Sequence, residues 1–323
     1  MEPFQSAARS VVLLALAFGA ASTQAQSYPA RPIRLLSTIA GSTDALTRAV
    51  VQKAGEALGQ PFVVENQPAA NGMVAAEQTA RALPDGYTLL VAVPGAIVVR
   101  GFLTKVMPYQ PVKDFTAITQ AASAISMIVV NPATPVRSVA ELIEKSRNAK
   151  GITYSTNGIG ASDHLAAELL NQMTGANLVH VPHKTAVDAV TNAVNGEVQA
   201  YFGVYGGSGA MIRAGKLRPL AYINVRPSAA GMPDVPLVSE SVPGFQSPPY
   251  WVGFFGPRAM PEPILRRLSG ELIAALEPAD MRARWLEFGF QVVASSPEVF
   301  TRVLNEDLER VGRIAKGAGI KPE

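Results

Sequence analysis

The sequence predicts an α/β protein with two lobes, two connections between them and a ligand cleft where the lobes meet. Short β-rich runs alternate with helical segments, and this order is typical of a parallel sheet covered by helices. The length of 323 residues exceeds what one hydrophobic core usually serves. The chain after Pro257 is mostly helical, so its helices need a sheet formed earlier in the chain.

The first lobe opens with a βαβαβ order. Apolar residues at helical spacing indicate a helix that ends at Leu58, and Asp44 is predicted to be its N-cap. The loop Asn66–Gly72 is rich in turn-forming residues and precedes the second helix. The predicted strands are Ile33–Leu36, Phe62–Glu65 and Thr88–Val93, and the predicted helices are Asp44–Leu58 and Val74–Ala82.

Two short strands then lead into a second α/β unit. Ser138 followed by Glu141 is the pattern of a capping box and predicts a helix from Val139. The predicted strands are Ala117–Ala122, Ile125–Val130, Ile152–Ser155, Leu178–Val181, Val198–Phe202 and Leu217–Ile223. The predicted helices are Val139–Ala149, Asp163–Gly175, Ala186–Asn195 and Ala210–Ala214.

The chain is predicted to return to the first lobe after a segment rich in Pro, Gly and Ser. The returning elements are the strand Trp251–Phe255 and the helices Pro263–Leu276, Ala279–Phe288 and Pro297–Ala315. The first lobe is the one short of helices, so these helices are expected to cover its sheet. We therefore predict that residues 28–123 and 245–323 form lobe 1, that residues 124–244 form lobe 2, and that two strands form the hinge.

Residues 1–25 have the pattern of a cleavable export signal. Arg9 supplies the positive charge, Val11–Ala21 the apolar core, and Thr23-Gln24-Ala25 a cleavage site of small residues. A membrane anchor is the alternative, but this apolar run is shorter than the ~18 residues that a span needs. The mature protein is therefore expected in the periplasm.

Composition excludes several classes of protein. The chain has no cysteine, and so it has neither a disulfide nor a lipid-attachment site. The net charge is +3 and the basic residues are spread along the chain, which argues against a nucleic-acid partner. These features predict a freely diffusing monomer.

Three loops connect a strand to the start of a helix and are rich in small or hydroxylated residues. They are loop 1 (Ser37–Asp44), loop 2 (Asn66–Met73) and loop 3 (Ser155–His164). Free backbone N–H groups and the positive end of the helix dipole make such a junction a site for anions. We expect the three loops to converge on one small anionic ligand.

The three histidines, His164, His180 and His183, lie close together in the sequence. A metal site would need three or four ligands in workable geometry, and His180-x-x-His183 spans a strand end, not a helix turn. We predict packing roles for His164 and His180 and leave His183 open between packing and a place in the cleft. No metal and no cofactor is predicted.

Two serines fall in patterns reminiscent of hydrolases. Ser162-Asp163-His164 contains triad residue types, but neighbours at a helix start point in different directions, so Ser162 and Asp163 are predicted to cap the helix. Gly206-Gly207-Ser208-Gly209-Ala210 approaches a nucleophile elbow without its final Gly. The protein is predicted not to be an enzyme, and a serine hydrolase is kept as an alternative.

A series of short motifs runs through the chain from Tyr28 to the C-terminus. They are Tyr28-Pro29-Ala30-Arg31-Pro32-Ile33-Arg34, Gly41-Ser42-Thr43-Asp44, Val64-Glu65-Asn66-Gln67-Pro68, Pro84-Asp85-Gly86-Tyr87-Thr88-Leu89-Leu90, Tyr109-Gln110-Pro111-Val112-Lys113-Asp114-Phe115, His180-Val181-Pro182-His183-Lys184, Ala214-Gly215-Lys216-Leu217-Arg218 and Pro233-Asp234-Val235-Pro236. In this order and spacing they resemble the TctC/Bug family, the substrate-binding proteins of tripartite tricarboxylate transporters.

The resemblance implies a type II periplasmic binding protein fold that closes on a small carboxylated molecule. Backbone amides and ordered water would hold the carboxylate, with hydroxyl side chains helping. In lobe 1 the implied site residues are Ser37, Ala40, Gly41, Thr43, Asn71, Gly72 and Met73. In lobe 2 they are Ser155, Thr156, Gly158, Gly160, Ala161 and Ser162, with His183 and Gly203 at further strand ends.

Three departures from the family pattern bear on the ligand. The family usually has Pro and several Gly before Ser-Thr-Asp, whereas this chain has Ile39 and Ala40 and keeps only Gly41. His183 stands where Tyr is usual, and Gly203 stands where an Asp usually ends the strand. A carboxylate at that place could serve an ammonium group, so its loss predicts a ligand without one.

Together these observations predict a periplasmic solute-binding protein that captures a small organic acid by lobe closure and hands it to a tripartite membrane transporter. The alternative from another class is a sensory binding protein that presents its ligand-bound form to a membrane receptor. The sequence does not name the acid, because backbone donors carry most of the expected recognition.

Overall fold

The computed structural model describes residues 28–39, 41–67, 72–148, 150–227 and 231–317, apart from the side chain of Ser42. The predicted export signal, residues 1–25, lies outside the described residues, and so do Ala40 and Asn71 of the predicted site.

The strands in the described part of the chain form two sheets. The first contains β1 (Ile33–Ser37), β2 (Phe62–Asn66), β3 (Thr88–Ala92), β4 (Phe115–Ala124), β10 (Trp251–Pro257) and β11 (Phe290–Val292), in the order β11-β4-β10-β3-β1-β2. The second contains β5 (Ser126–Val130), β6 (Ile152–Thr156), β7 (Leu178–Pro182), β8 (Ala200–Val204) and β9 (Arg218–Tyr222), in the order β7-β6-β8-β5-β9.

Helices connect and cover these strands. They are α1 (Ser42–Leu58), α2 (Met73–Ala80), α3 (Arg100–Leu103), α4 (Val139–Ser146), α5 (Ser162–Thr174), α6 (Ala186–Asn195), α7 (Tyr205–Arg213), α8 (Val238–Ser241), α9 (Glu262–Leu276), α10 (Ala279–Glu287) and α11 (Pro297–Gly317). Among the helices of the described residues, none combines the length and the apolar character needed to cross a bilayer.

The division into two α/β lobes follows the prediction. β1 to β4 lie in one sheet, β5 to β9 in the other, and β10 returns to the first sheet between β3 and β4. The sheets that we call lobe 1 and lobe 2 are therefore joined where β4 leads to β5 and where the chain returns to β10. The residue boundaries predicted for the lobes stay a prediction.

The parallel order predicted from the βαβαβ pattern holds for β1 to β3, but the strands next to these connections run antiparallel. β10 runs antiparallel to both β3 and β4, and β5 runs antiparallel to both β8 and β9. β1 pairs in parallel with β2 and β3, and β6 with β7 and β8. A chain that arrives from the other lobe enters at the edge where the parallel strands end, and so it must run in the opposite direction.

The C-terminal helices cover the sheet of lobe 1, as predicted. α9 and α11 both pack on β4, and α9 also packs on α1. Under α11, the ring of Phe300 lies 5.3 Å from that of Trp251 and 5.1 Å from that of Phe255, measured between centroids. Trp251 is buried and its Nε1 donates to Asp307 Oδ2 at 2.9 Å, so its ring and its N–H both serve the packing of α11 on the sheet.

A helical segment before β4 was not predicted. Residues 95–103 form a π-helical turn, Gly95–Val99, that continues into α3. Ala96 to Val99 are all buried. A short helix that is apolar on every side has no amphipathic period, and so the sequence pattern gives no signal for it.

Helix α7 begins five residues before the predicted start at Ala210. The reason is steric. A Cβ on Gly206 would overlap the carbonyl of Phe288, and a Cβ on Gly209 would press on the ring of Tyr205. These glycines allow close packing inside a helix, although their low helix propensity argued against one.

Two of the predicted helix caps have different outcomes. Ser138 accepts from the N–H of Glu141 at 3.1 Å and caps α4 as predicted, whereas the Glu141 carboxylate accepts from the N–H of Arg137. Asp44 is not the cap of α1, because Gly41 holds that position and the helix begins at Ser42. The positive φ of Gly41 turns the chain into the helix three residues earlier than an Asp44 cap would.

Candidate functional site

Loops 1 and 2 lie side by side at the ends of β1 and β2. The parallel register pairs Ser37 with Asn66, and the N–H of Gln67 donates to the carbonyl of Ser37 at 2.8 Å. The side-chain amide of Asn66 donates to the carbonyl of Ile39 at 2.9 Å, which anchors one loop on the other. The sequence placed these residues at neighbouring strand ends, and the structure brings them together.

Loop 2 approaches loop 1 through a glycine. Gly72 has a φ of 81°, and a Cβ there would overlap the side chain of Thr38. Only glycine combines this backbone conformation with this approach. Gly72 is the N-cap of α2, and Met73, half-buried, is its first helical residue.

The start of α1 is bordered by a polar network. Asp44 Oδ1 accepts from Asn66 Nδ2 at 2.6 Å, and its Oδ2 accepts from Arg48 Nε at 2.8 Å. The negative charge of Asp44 is thus paired, which leaves the positive end of the helix dipole at Gly41 and Thr43 less opposed.

In lobe 2, hydrogen bonds that involve Thr156, His180 and His164 support loop 3. Thr156 Oγ1 accepts from the N–H of Gly158 at 3.2 Å and hydrogen-bonds to His180 Nε2 at 2.7 Å. The N–H of Gly160 donates to His164 Nδ1 at 3.3 Å. Gly158 and Gly160 both have positive φ, so the loop needs glycine at these two places.

The two supporting histidines form a stack with Tyr154. The rings of His164 and His180 are 4.3 Å apart, and Tyr154 stacks on the other face of His180 at 4.9 Å. Burial lowers the pKa of His180 to about 4 and lowers that of His164, so both imidazoles are neutral near pH 7. The packing role predicted for them is confirmed. Among the described residues no metal-ligand cluster of three or more members occurs.

His183 lies beside loop 3. Its N–H donates to the carbonyl of Thr156 at 3.1 Å, and its Nδ1 lies 3.0 Å from the carbonyl of Val181. A Cβ on Gly158 would be in ordinary contact with the His183 carbonyl. The half-buried His183 is thus placed at the rim of loop 3 by the end of β7.

Several predicted hydroxyl groups are already used inside the protein. Ser37 Oγ accepts from the N–H of Ile39 at 3.2 Å, and Ser155 Oγ donates to the carbonyl of Ala189 at 2.9 Å; both serines are fully buried. Ser162 Oγ donates to the carbonyl of Pro249 at 2.5 Å. These hydroxyls fix the loops, so the loops' backbone groups remain as the main donors to a ligand.

The helices that follow the three loops differ from α4 and α6 of lobe 2 at their first turn. Their N-cap residues are Gly41, Gly72 and Ala161, none of which has a hydrogen-bonding side chain. In contrast, Ser138 caps α4 and Thr185 caps α6 by accepting from the N–H three residues on. The backbone donors at the loop helices therefore have no N-cap acceptor of their own.

Loop 3 also faces lobe 1. A Cβ on Gly160 would overlap the end of the Leu103 side chain, which belongs to α3. The Ser162–Pro249 hydrogen bond joins α5 to the segment that leads into β10. Loop 3 thus lies at the boundary between the two lobes, where a cleft was predicted.

Gly203 lies on β8, and the place of its missing side chain is filled. A Cβ on Gly203 would overlap the ring of Tyr201, which is itself 2% exposed. Sequence reasoning did not select Tyr201. The available signal was its position two residues earlier, which puts both on one face of the strand.

Asp163 and its partners were also missed as a group. Ser162 and Asp163 were both predicted to cap α5, but Ala161 is the N-cap, Ser162 and Asp163 are the first two residues of the helix, and the side chain of Asp163 is buried. Its Oδ1 accepts from Ser126 Oγ and, at 3.0 Å, from the hydroxyl of Tyr250. Burial raises the pKa of Asp163 to about 6, and the two hydrogen bonds partly oppose this rise.

The nucleophile-elbow interpretation of Ser208 was wrong. Ser208 lies inside α7, not on a strand-to-helix turn, and it is fully buried. Its Oγ is 3.5 Å from the carbonyl of Tyr205, so the hydroxyl faces its own helix.

Comparison with known proteins gives a consistent family. The profile of the family described as "Tripartite tricarboxylate transporter family receptor" matches residues 46–320. A UPF0065 protein of Bordetella bronchiseptica is 31% identical over 313 residues, which is 96% of this chain and 92% of that protein.

Two solved structures are similar over nearly the whole chain. Rpa4515 of R. palustris, solved with adipate, is 29% identical with a TM-score of 0.79 and covers 92% of this chain and 100% of its own. MatC (Rpa3494) of Rhodopseudomonas palustris, solved with bound malate, is 26% identical with a TM-score of 0.75 and covers 89% of this chain and 99% of its own.

Proposed function

Because the chain belongs to the tripartite tricarboxylate transporter receptor family, whose members are periplasmic solute-binding proteins, we propose that it captures a small organic carboxylate by lobe closure and delivers it to a tripartite membrane transporter. The proposal includes export through cleavage after residue 25 and action as a monomer. The observation that carries it is the set of three loop helices with N-cap residues that have no acceptor, two in lobe 1 and one in lobe 2.

The proposed site is formed mainly by backbone. A carboxylate between the lobes would accept from N–H groups at the start of α1 and α5, where the dipoles add a favourable field. The loop residues in this proposal are Ser37, Ala40, Gly41, Thr43, Asn71, Gly72, Met73, Ser155, Thr156, Gly158, Gly160, Ala161 and Ser162, with His183 and Gly203 nearby. The buried hydroxyls of Ser37 and Ser155 act here through the loop shape that they maintain.

Closure follows from the two connections between the lobes. A ligand that contacts loops from both lobes makes more contacts when the lobes are close, so it shifts the population toward the closed state. The packing of Gly160 against Leu103 supports this, because it places loop 3 against lobe 1.

The ligand proposed is a carboxylate without an ammonium group. Gly203 has no carboxylate to offer, and the ring of Tyr201 fills the adjacent space. A buried aromatic ring does not compensate an ammonium ion that has lost its water as a carboxylate would. The adipate and malate bound by the two similar structures are both of the proposed kind.

A thermal-shift screen tests the ligand class. Adipate, malate and further di- and tricarboxylates are compared with glutamate and aspartate, and a ligand that binds only the folded state raises Tm. We expect Tm to rise with at least one carboxylate of this panel that has no amino group. A rise with the amino acids alone would contradict the absence of an ammonium group, and no rise at all would contradict the carboxylate site.

Ser162→Pro tests the role of the α5 N-terminus. Proline at the first helical position removes one N–H and fits the helix, and Ala161 already has the extended backbone that precedes a proline. Ser162→Ala is the matched control, since it removes the same hydroxyl and keeps the N–H. We expect the Kd of the screened carboxylate to rise about tenfold more in Ser162→Pro than in Ser162→Ala, in line with one charge-assisted hydrogen bond. Equal Kd values would contradict binding at this helix start.

Delivery to a transporter is tested in cells. A strain that lacks this chain should lose uptake of the labelled acid identified in the screen, and a copy with the intact sequence should restore it. Unchanged uptake together with a lost transcriptional response to the acid would favour the sensory alternative.

A further inference from the structure

One carboxylate oxygen joins the helix after loop 3 to both connections between the lobes. Asp163 belongs to α5 of lobe 2. Its Oδ1 accepts from Ser126, the residue with which the chain enters lobe 2, and from Tyr250, the residue before the chain re-enters the sheet of lobe 1. The two connections also touch directly, since the N–H of Ala124 donates to the carbonyl of Tyr250 at 2.7 Å.

The residue before Asp163 also links α5 to the second connection. Ser162 Oγ donates to the carbonyl of Pro249, so two successive residues of α5 hold two successive residues of the second connection. Tyr250 is 7% exposed and Asp163 is 5% exposed, so water does not compete for these bonds. Hydrogen bonds to a charged, buried acceptor are among the stronger ones that a protein makes.

Keeping a carboxylate here has a cost that packing alone does not explain. Its desolvation is unfavourable, as the raised pKa of Asp163 reflects. An apolar residue of similar size would fill the same volume without that cost, but it would leave the hydroxyls of Ser126 and Tyr250 without this acceptor. The Asp163 carboxylate therefore fixes the position of α5 relative to both connections.

We propose that Asp163 is a positioning residue for ligand capture, because its Oδ1 fixes the direction of α5 and loop 3 against the two connections about which the lobes move. This inference rests on the proposed function, since it names what sets the relative orientation of the two sets of loops. In the absence of the Oδ1 acceptor, the lobes sample a wider range of orientations and the binding-competent fraction falls. The apparent Kd rises by the same factor.

The substitutions separate the acceptor from the charge. Asp163→Ala removes the acceptor, whereas Asp163→Asn keeps an oxygen where Oδ1 lies and removes only the charge. Tyr250→Phe removes the single donor from the second connection and keeps the ring, which makes it the milder variant should Asp163→Ala fold poorly. Asp307→Ala is the matched control, because Asp307 is also buried and, among the described residues, its side chain bonds to Trp251 and Arg310 of lobe 1.

The first readout needs no ligand. The chain has no cysteine, so spin labels on Ala57→Cys in lobe 1 and Glu144→Cys in lobe 2, both exposed, report one distance between the lobes. Double electron–electron resonance on the ligand-free protein should give a broader or shifted distribution in Asp163→Ala and Tyr250→Phe. Asp163→Asn and Asp307→Ala should keep the distribution of the parent. An unchanged distribution in Asp163→Ala and Tyr250→Phe would overturn the proposal.

The second readout is affinity, with adipate and malate as probes in calorimetric titrations. Kd should rise about tenfold in Asp163→Ala, as expected for the loss of a hydrogen bond to a charged group, and stay within about threefold of the parent in Asp163→Asn and Asp307→Ala. A lower Tm with unchanged Kd in Asp163→Ala would mark a merely structural role and overturn the proposal. Equal losses in the Ala and Asn variants would do so too. If the parent binds neither probe, the ligand class proposed above fails, and the distance measurement still decides the role of Asp163.

Discussion

The two sides of the candidate cleft are supported in different ways. In lobe 1, loops 1 and 2 are held by a glycine contact and by the partly exposed network of Asp44, Arg48 and Asn66. In lobe 2, loop 3 rests on neutral histidines, and its helix is fixed by the buried carboxylate of Asp163. Loop 3 therefore has a shape that depends on the protonation states of the groups beneath it. Lobe 1 has loops that depend on steric fit and surface charge.

The largest effect is expected where loop 2 touches loop 1. Gly72→Ala should lower the free energy of unfolding by about 3 kcal/mol, because a positive φ costs about 1–2 kcal/mol and the overlap with Thr38 adds about 1–3 kcal/mol. Gly59→Ala is the control, since Gly59 has nearly the same φ and ψ as Gly72 and nothing within 4 Å of its ideal Cβ. Urea unfolding measures both. Equal losses would show that loop 1 yields to the added methyl group.

Asp163 should give stability an unusual dependence on pH. Its native pKa of about 6 lies above the ordinary 3.8, so the folded protein holds the extra proton between these values and stability falls as pH rises through them. Relative to the parent, Asp163→Asn should be more stable at pH 7.5 than at pH 3.5 by about 3 kcal/mol at most. Urea unfolding at the two pH values checks this. A pH-independent difference would mean that Asp163 titrates normally.

His180 should change stability with pH in the opposite direction to Asp163. Its native pKa of about 4 lies below the ordinary 6.5, so the unfolded chain takes up the proton first and stability is lost as pH falls from 6.5 to 4. Because the ring is only partly buried, we expect about 1–2 kcal/mol rather than the full shift. His180→Gln should reduce this pH dependence to the part that comes from His164, and His183→Gln should keep most of it, as measured by unfolding across the same pH range. Retention in His180→Gln would assign the effect to another group.

The smallest effect is expected on the exposed side of lobe 1. Asp44→Asn should change stability by less than about 1 kcal/mol, because the Asp44–Arg48 pair is partly exposed and screened by salt. The change should shrink between low and 1 M salt in thermal unfolding. A larger, salt-independent loss would show that Asp44 holds loop 1 through Asn66 and not through charge.

Much of this arrangement could be predicted from the sequence. The features that were not predicted have one cause in common, which is that they depend on residues distant in the chain. The strands, the loops at their ends and the Ser138 cap follow from local patterns that the chain carries within a few residues. The direction of β5 and β10 does not, because it depends on where the chain enters a sheet. Nor does the start of α7, where tight packing on Phe288 selected glycine.

The candidate site divides in the same way. The strand-to-helix junctions at loops 1, 2 and 3 were located correctly, since a strand followed by small residues and a helix is a local signal, whereas their role as a binding site stays a prediction. The buried acceptor role of Asp163 was not found, because Ser126 and Tyr250 lie 37 and 87 residues away in the chain. The filling of the Gly203 space by Tyr201 depends on a ring orientation that residue type alone does not encode.

The position of β10 between β3 and β4 has a consequence for how the protein is made. Lobe 2 is continuous in sequence, so its strands can pair as soon as β9 has emerged. The sheet of lobe 1 cannot close until β10 arrives, well over a hundred residues after β4. Until then β3 and β4 keep open edges that invite pairing with other chains. Lobe 2 can therefore assemble before lobe 1, and the segment from β10 onward is the part of the chain that completes the sheet of lobe 1.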